Sequence, residues 1–160
     1  MLSYEDILRK LITPVEAAEI LSPEFRKKNR IVFTNGCFDV LHRGHVYYLS
    51  KAREMGSLLI VGLNSDDSVS RLKGEGRPVN KQNARAEVMG ALAMVDYIIL
   101  FGEDTPLDLI SALRPDILVK GGDYQPEEIV GYKEVMSSGG QVITIPILEG
   151  YSSTSIIERK

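Results

Sequence analysis

The residues of this chain best suited to chemistry are two histidines, His42 and His45, with Gly44 between them. Spaced three residues apart, they can face one point if the segment is helical, and the glycine lets a ligand approach the backbone closely. A β-branched, apolar run, Ile31–Thr34, precedes them, and the helix-like segment Val46–Arg53 follows. Because a helix N-terminus presents unpaired N–H groups and a partial positive charge, this arrangement predicts a phosphate-binding site. A metal site and a purely structural pair are the alternatives, but no HxxxH or CxxC pattern supplies a further metal ligand.

The chemistry that such a site favours is attack of a phosphate oxygen on the α-phosphorus of a nucleotide, with pyrophosphate as the leaving group. The attacking phosphate is already ionised, so the reaction depends on positioning and on stabilising negative charge rather than on a strong general base. Asp39, in the same loop, is expected either to cap the backbone or to orient a histidine or a magnesium ion. Cys37 has no clearly assigned base and is expected to be a small buried residue rather than a nucleophile.

The composition is that of one ordinary globular domain. At 160 residues the chain can bury a sizeable core. A formal net charge of -3 gives no broad basic surface, which argues against nucleic acid as a partner. The single cysteine allows no internal disulfide, no signal-peptide pattern opens the chain, and no apolar run approaches the ~20 residues that span a bilayer. These features predict a cytoplasmic protein without a membrane partner.

The pattern changes near residue 29. Residues 1–28 have helix-like spacing over Tyr4–Ile12 and Val15–Leu21, interrupted by Pro14, and are expected to form an N-terminal helical arm packed on the domain or on a partner subunit. Residues 29–160 alternate apolar strands with amphipathic helices, which predicts an α/β, Rossmann-like fold: a parallel five-stranded sheet with helices on both faces. The predicted strands are Ile31–Thr34, Leu58–Leu63, Tyr97–Leu100, Ile117–Val119 and Val142–Ile145, and the predicted helices are Gly44–Met55, Asp66–Leu72, Lys81–Met94, Pro106–Leu113, Glu127–Ser137 and Thr154–Arg159.

Ligands bind such sheets beyond the carboxyl ends of the strands, so the loops there are expected to hold the function. Asn64 and Asp66 follow the second strand, where they can cap a helix or bind a ligand. The next loop contains Gly74 and Gly76 and is expected to form a flexible, positively charged lid. Its basic residues either clamp the phosphate of a second substrate or lie on the surface: Arg71, Lys73 and Arg77.

Other positions are open between binding and structural roles. Lys51, two turns into the helix after His45, either reaches back to the phosphates or is solvated. Arg85 either binds substrate or forms a surface salt bridge. After Lys120, the segment that contains Gly121 and Asp123 either approaches a base or a sugar closely or makes a simple turn.

Two signatures at opposite ends of the chain resemble those of a known superfamily. His42-Arg43-Gly44-His45 resembles the HxGH signature of the nucleotidyltransferases that include cytidylyltransferases and class I aminoacyl-tRNA synthetases. The hydroxyl-rich run Ser152-Ser153-Thr154 opens the last predicted helix, where it either caps the helix or binds an anion. With Glu149–Tyr151 before it, this run resembles the second signature of that superfamily, a loop on the β- and γ-phosphates.

A narrower resemblance rests on three runs, Thr34–Asp39, Arg71–Asn80 and Leu118–Tyr124, which look like the adenylyltransferase half of the ADP-heptose synthase family. That family joins ATP and D-glycero-β-D-manno-heptose 1-phosphate into ADP-heptose and pyrophosphate, a precursor of the lipopolysaccharide inner core. In many bacteria this half follows a sugar kinase in one polypeptide. Here residues 1–28 take the place of the linker, so the resemblance implies a separate heptose kinase upstream. It also implies magnesium on the triphosphate and a homodimer.

The resemblance assigns roles position by position. His42 and His45 would hold the α- and β-phosphates, Lys51 would assist there, and Arg85 would lie near the transferred phosphate. Ser153 stands where many members have threonine, but the hydroxyl is kept. The residues implied to bind the nucleotide are Thr34, Asn35, Gly36, Cys37, Phe38, Asp39, Gly44, Gly121, Asp123, Ser152, Ser153 and Thr154, and those implied to bind the sugar phosphate are Asn64, Asp66, Arg71, Lys73, Arg77 and Lys120.

Three other functions compete with this one. A cytidylyltransferase for glycerol 3-phosphate or a similar alcohol phosphate would use the same mechanism, because the choice of base depends on backbone contacts. An ATP sensor would bind the nucleotide without transfer, although such a protein could dispense with His45. A scaffolding subunit would use mainly the N-terminal arm.

Overall fold

The computed structural model describes residues 2–158, and a parallel sheet lies at its centre. The strands are β1 Ile31–Gly36, β2 Leu58–Asn64, β3 Tyr97–Phe101, β4 Ile117–Gly121 and β5 Gln141–Ile145. They stand in the order β3-β2-β1-β4-β5, and every neighbouring pair is parallel, which confirms the predicted fold class. The strands form from continuous apolar runs because both faces of a parallel sheet are covered; every residue of β2 is buried.

Helices connect and flank these strands. Their bounds are α1 Tyr4–Leu8, α2 Pro14–Ile20, α3 Pro23–Arg26, α4 Arg43–Arg53, α5 Asp66–Lys73, α6 Gln82–Gly90, α7 Leu107–Leu113, α8 Tyr132–Ser137 and α9 Ser153–Ile157. On one face of the sheet, α4 and α6 pack through residues such as Leu49 and Met89. On the other face, α7 packs beside α2, and Ala17 of α2 is completely buried in the same core as Ile60 and Ile99. The helical arm therefore supplies part of one layer of the domain.

The arm also covers the outer edge of β3. The predicted helix over Tyr4–Ile12 ends early, and Leu11 instead forms a parallel bridge with Ile98. The Ile12 N–H donates to the Ile98 carbonyl at 2.9 Å, and the Ile98 N–H donates to the Lys10 carbonyl at 2.8 Å. This pairing protects an edge strand that would otherwise expose its backbone groups. Over residues 2–158, no helix combines the length and apolar character needed to cross a membrane.

Some helix boundaries differ from the predictions. The predicted helix Glu127–Ser137 is a 3-10 turn at Pro126–Glu128 followed by α8, because Gly131 takes a φ of +91° and interrupts the helical backbone. The helix predicted over Lys81–Met94 is α6, which ends earlier. The last predicted helix reaches Arg159, which lies outside the described residues.

The sheet opens between β1 and β4, where the strand order reverses. Pairing between them covers Val32 with Ile117 and Phe33 with Leu118 and goes no further toward the carboxyl ends. The neighbouring pairs continue to the last residue of β1 and of β4. A crevice at this switch point is where parallel sheets of this kind bind ligands.

Candidate active site

His42 begins α4 as its N-cap, and this role fixes its ring. The backbone is extended (φ −146°, ψ 171°), and Nδ1 accepts a hydrogen bond of 3.1 Å from the Gly44 N–H. An accepting Nδ1 leaves the proton of the neutral ring on Nε2, so Nε2 can donate to a ligand. A Cβ at Gly44 would lie 3.0 Å from the His42 ring and 3.2 Å from Cβ of Tyr151, so only glycine fits there without displacing its neighbours.

His45 stacks on His42, with ring centroids 3.8 Å apart and 23° between the planes. The Phe38 ring meets His45 edge-on at 5.1 Å. Nδ1 of His45 is enclosed and has no hydrogen-bond partner within the part of the chain that the structure describes. Burial and the neighbouring His42 lower the pKa of His45 to about 4, and burial also lowers the pKa of His42. At neutral pH both rings are therefore uncharged N–H donors.

The loop between β1 and α4 is shaped by its own side chains. Phe38 has a left-handed backbone (φ 43°), and a Cβ at Gly36 would lie 2.9 Å from the Phe38 ring. Burial raises the pKa of the Cys37 thiol, although Lys73 and other nearby cations oppose the shift. A half-buried, protonated thiol fits the interpretation of Cys37 as a packing residue rather than a nucleophile.

Asp39 ties this loop to the loop between α5 and α6, which is predicted to form a lid. Its carboxylate accepts hydrogen bonds from Nε of Arg77 at 2.7 Å, from the Val79 N–H at 3.0 Å and from the Asn80 N–H at 2.9 Å. Of the roles expected for Asp39, backbone capping is the one that these contacts describe. Burial alone would raise the pKa of Asp39, but the hydrogen bonds from Asn80 and Val79 and the Arg77 guanidinium outweigh it, so the pKa lies below its usual range. The ionised carboxylate therefore holds the loop between α5 and α6 against the histidine loop.

Arg85 is buried, which corrects the surface salt bridge that was one of the two roles expected for it. On α6 it is only 2% exposed. Its guanidinium donates to the carbonyls of Cys37, Asn64 and Asn80 and to the Asp66 carboxylate, over distances of 2.6 to 2.9 Å. With four of its five N–H groups used in this way, Arg85 holds together the ends of two strands and the loop between α5 and α6. Its expected contact with the transferred phosphate stays a prediction.

Lys51 and Arg71 lie away from the cleft. Lys51 is half-exposed and pairs with Glu54 at 2.8 Å, toward the C-terminal end of α4. It stands about 12 Å along the helix axis from the start of α4, so the structure does not bring it to the phosphates. Arg71 pairs with Asp104 at 2.8 Å and donates to the Gly102 carbonyl. These exposed pairs fit the solvated or surface alternatives for the two residues, and the roles expected for Lys51 at the nucleotide phosphates and for Arg71 at the sugar phosphate stay predictions.

The C-terminal hydroxyl run returns to the histidine loop. Ser152 caps α9, accepting a backbone N–H at 3.0 Å, and Ser153 Oγ donates to the Val40 carbonyl at 3.0 Å. Arg43 donates to the Tyr151 hydroxyl at 3.2 Å, and its guanidinium carbon lies 5.6 Å from the centroid of the Tyr151 ring. The run therefore caps its helix and borders the cleft at the same time.

These elements enclose a cleft of about 710 Å³ at the carboxyl ends of the strands. Most of the residues predicted to bind a ligand line it: Asn35, Gly36, Cys37, Phe38, Asp39, His42, Gly44, His45, Asn64, Lys73, Arg77, Lys120, Gly121, Ser152, Ser153 and Thr154. Among the others, Thr34 is completely buried below the floor, Asp66 pairs with Arg85, and Asp123 lines an adjoining groove. Burial lowers the pKa of Lys120, whose Nζ lies 3.5 Å from Oδ1 of Asn35.

Sequence reasoning missed several lining residues: Tyr48, Leu72, Asp104, Thr105, Pro106, Tyr124, Glu128, Ile129, Val130, Ile147 and Tyr151. Asp104–Pro106 follow β3, so the rule that ligands bind beyond strand ends could have found them. Glu128–Val130 fall within a predicted helix, so they were not expected to belong to a loop that lines the cleft. Tyr48 follows the helical period of a core residue, and only the structure shows its hydroxyl near the cleft.

A cleft at the switch point of a parallel sheet, with two histidines at a helix entrance, is the kind of site predicted for a nucleotidyltransferase. The profile of the Cytidylyltransferase-like family matches residues 33–159, and the chain belongs to that family. This membership confirms the predicted relationship to the nucleotidyltransferases.

Two curated relatives show which members of this family the chain resembles. The chain is 56% identical over 141 residues to the bifunctional protein HldE of Syntrophotalea carbinolica, which covers 88% of this chain and 29% of the relative. It is 53% identical over 158 residues to the bifunctional protein HldE of Trichlorobacter lovleyi, which covers 99% of this chain and 32% of the relative. The chain thus spans about a third of the length of the curated relatives it matches.

Solved structures agree on the fold. The lipopolysaccharide core biosynthesis protein of Thermoplasma volcanium has 29% sequence identity and a TM-score of 0.62, covering 78% of this chain and 99% of that one. The pantothenate synthetase of Thermus thermophilus has a TM-score of 0.63 but 16% identity, covering 91% of this chain and 66% of that one, so it shows the fold alone.

Proposed function

We propose that this chain transfers AMP from ATP to D-glycero-β-D-manno-heptose 1-phosphate, giving ADP-heptose and pyrophosphate. The observation that carries the proposal is the convergence of two anion-binding elements on one cleft. The neutral, stacked His42 and His45 enter it from the start of α4, and the Ser152–Thr154 run enters it from the start of α9. The identity of the acceptor rests on the likeness to the HldE proteins and on the three resembling runs.

In this reaction an oxygen of the acceptor phosphate attacks the α-phosphorus of ATP. The new P–O bond forms as the bond from the α-phosphorus to the bridging oxygen breaks, and pyrophosphate leaves with that electron pair. A phosphate monoester has a second pKa near 6, so the nucleophile is ionised at neutral pH without a base. Nε2–H of His42 and of His45 would donate to oxygens whose charge grows in the transition state.

The remaining residues of the cleft would divide between the two substrates. The hydroxyls of the Ser152–Thr154 run would hold the triphosphate tail. Lys73 and Arg77 would hold the acceptor phosphate, with Arg77 fixed by Asp39. The Gly121 backbone would border the nucleotide, and Asn64 would face the sugar phosphate.

Magnesium belongs to the substrate in this proposal. Within residues 2–158, no group of three or more His, Cys, Asp or Glu side chains is placed to hold a metal ion. The described residues therefore offer no complete ligand set, and Mg²⁺ would enter on the phosphates of ATP, whose charge it neutralises.

The acceptor indicates what kind of enzyme acts before this one. A kinase can place a phosphate on C1 of a sugar, and the relatives are described as bifunctional and are about three times longer. A heptose kinase upstream is therefore part of the proposal. The expected homodimer and cytoplasmic location stay predictions, the first of which light scattering would test.

The decisive experiment measures pyrophosphate release with ATP or CTP, Mg²⁺, and either heptose 1-phosphate or glycerol 3-phosphate. Release with ATP and the heptose phosphate alone supports the proposal. Release with CTP and glycerol 3-phosphate would assign the chain to the alcohol-phosphate cytidylyltransferases. ATP binding without release in any pairing would leave a nucleotide sensor.

A further inference from the structure

Backbone pairing between β1 and β4 ends before the two strands do. The register between β1 and β4 pairs Val32 with Ile117 and Phe33 with Leu118. The next pair in this register would be Thr34 with Val119, but the described backbones no longer pair there. Both residues are completely buried, so the distance between them depends on contacts with other protein groups and not on water.

The hydroxyl of Tyr48 bridges this first unpaired position. It lies 2.6 Å from Oγ1 of Thr34 on β1 and donates to the Val119 carbonyl on β4 at 3.0 Å. Because the single tyrosine proton goes to Val119, the Thr34 hydroxyl donates to Tyr48. One side chain of α4 thus links both strands at the point where they separate.

The ring of Tyr48 supports the wall of the cleft at Gly121, two residues beyond Val119 on β4. A Cβ at Gly121 would lie 3.3 Å from Cε2 of Tyr48, so the ring packs directly beneath the Gly121 backbone. Tyr48 also stands on the helix that His42 caps and His45 occupies. It therefore contacts the nucleotide wall and belongs to the histidine helix.

We propose that Tyr48 is a positioning residue that holds β1 and β4 at the separation the nucleotide needs, and thereby sets the Gly121 backbone relative to His42 and His45. This inference rests on the proposed nucleotidyl transfer. Loss of the hydroxyl would let the two strand ends move while the lid, which Asp39 holds through Arg77, keeps its place. Binding of the nucleotide should therefore weaken, whereas binding of the acceptor should stay unchanged.

The test is Tyr48→Phe, with Tyr47→Phe as the matched control. Tyr47 is the preceding residue on α4 and is 40% exposed. We expect Tyr48→Phe to raise KM for ATP on the order of tenfold and to lower kcat by tenfold or more, because displacements of about 1 Å have effects of this size. KM for heptose 1-phosphate and all constants of Tyr47→Phe should stay within about twofold of the parent.

The same bridge can be cut from its other end. Thr34→Val should reproduce the ATP effect, whereas Thr34→Ser, which keeps the hydroxyl, should restore it. Assays run well below each variant's melting temperature separate this effect from simple loss of stability. Parent-like ATP constants in both Tyr48→Phe and Thr34→Val would overturn the inference, while a parent chain without transferase activity would overturn the proposed function instead.

Discussion

His42 and His45 stack face to face, with ring centroids 3.8 Å apart. Two imidazolium ions at this distance would repel each other, so the pair works as two neutral donors. We expect His45→Ala to lower kcat roughly 100-fold or more, because it removes a donor to charge that develops in the transition state. The Kd for ATP should change by less than about threefold. Pyrophosphate-release kinetics and equilibrium ATP binding measure the two effects.

Val46→Ala, an exposed change on the same helix, controls for disturbance of α4 and should leave both constants near the parent values. If His45→Ala weakened ATP binding as much as it slowed turnover, His45 would be a ground-state ligand.

The lowered pKa of His45 makes stability depend on pH. In the unfolded chain the ring has its ordinary pKa of 6.5, and in the fold the pKa is about 4. Between these values the unfolded state binds more protons, so stability is full above pH 6.5 and falls as the pH drops toward 4, by up to about 3 kcal/mol. Asp39, whose folded pKa is depressed, adds a loss only at lower pH, as the pH falls through that value. Urea unfolding from pH 7 to pH 4 measures the slope.

His45→Gln cannot titrate, so its unfolding free energy should vary less over the same range. A slope identical to that of the parent would mean that other groups cause the acid sensitivity.

Asp39→Asn should loosen the lid. The amide cannot match a carboxylate that accepts from Arg77 and from two backbone N–H groups. We expect KM for the sugar phosphate to rise about tenfold, since Arg77 loses its fixed position, with a smaller change in KM for ATP. Steady-state kinetics with each substrate varied in turn measure both constants. Asp67→Asn, at an exposed position of α5, is the control, and an unchanged acceptor KM in Asp39→Asn would argue against a lid that holds the acceptor.

Arg85→Ala should destabilise the whole site. It removes the partner of three backbone carbonyls and leaves Asp66 without its cation, so we expect a loss of about 3 kcal/mol or more in the free energy of unfolding. Arg71→Ala breaks an exposed pair with Asp104 and should cost less than about 1 kcal/mol. Urea unfolding of the two variants measures the difference. Equal, small losses would show that the buried clamp is not needed for stability.

Leu21→Ala tests whether the helical arm is part of the domain. Leu21 is 4% exposed and packs in the core shared by β1, β2 and β3, so we expect a loss of about 2–5 kcal/mol. Val15→Ala, on the same arm but 70% exposed, should cost less than about 0.5 kcal/mol. Thermal and urea unfolding measure both. A small effect at Leu21 would mean that the arm is an accessory to a domain that is stable without it.

The sheet and much of the cleft could be predicted because their signals are local. Continuous apolar runs mark strands that are buried on both faces, and loops at their carboxyl ends must meet at one edge. His42 and His45 are three residues apart, so a helix that begins between them places both side chains on one face. The structure has this arrangement, with His42 as the N-cap of α4.

The roles of Lys51 and Arg85 could not be predicted in this way, because a charged side chain has several partners within reach. Glu54, three residues after Lys51, can form an ion pair with it. The sequence pattern does not show whether Lys51 prefers this partner or a more distant phosphate. The carbonyls that hold Arg85 come from three separate segments, and their convergence is a property of the fold. The end of the predicted helix Glu127–Ser137 at Gly131 depends on a positive φ angle there. The residues around Gly131 favour a helix, so the sequence does not show this angle.

The weak attachment of α9 means that a bound ligand would help to complete the proposed site. Every residue of α9 is at least partly exposed, and the Ser153 hydroxyl reaches the body through one hydrogen bond, to Val40. Segments with so little buried surface open with small free energies and exchange their amide hydrogens quickly. A triphosphate on the Ser152–Thr154 run would couple this local folding equilibrium to nucleotide affinity, so that changes at the far end of the chain alter binding without touching the histidines.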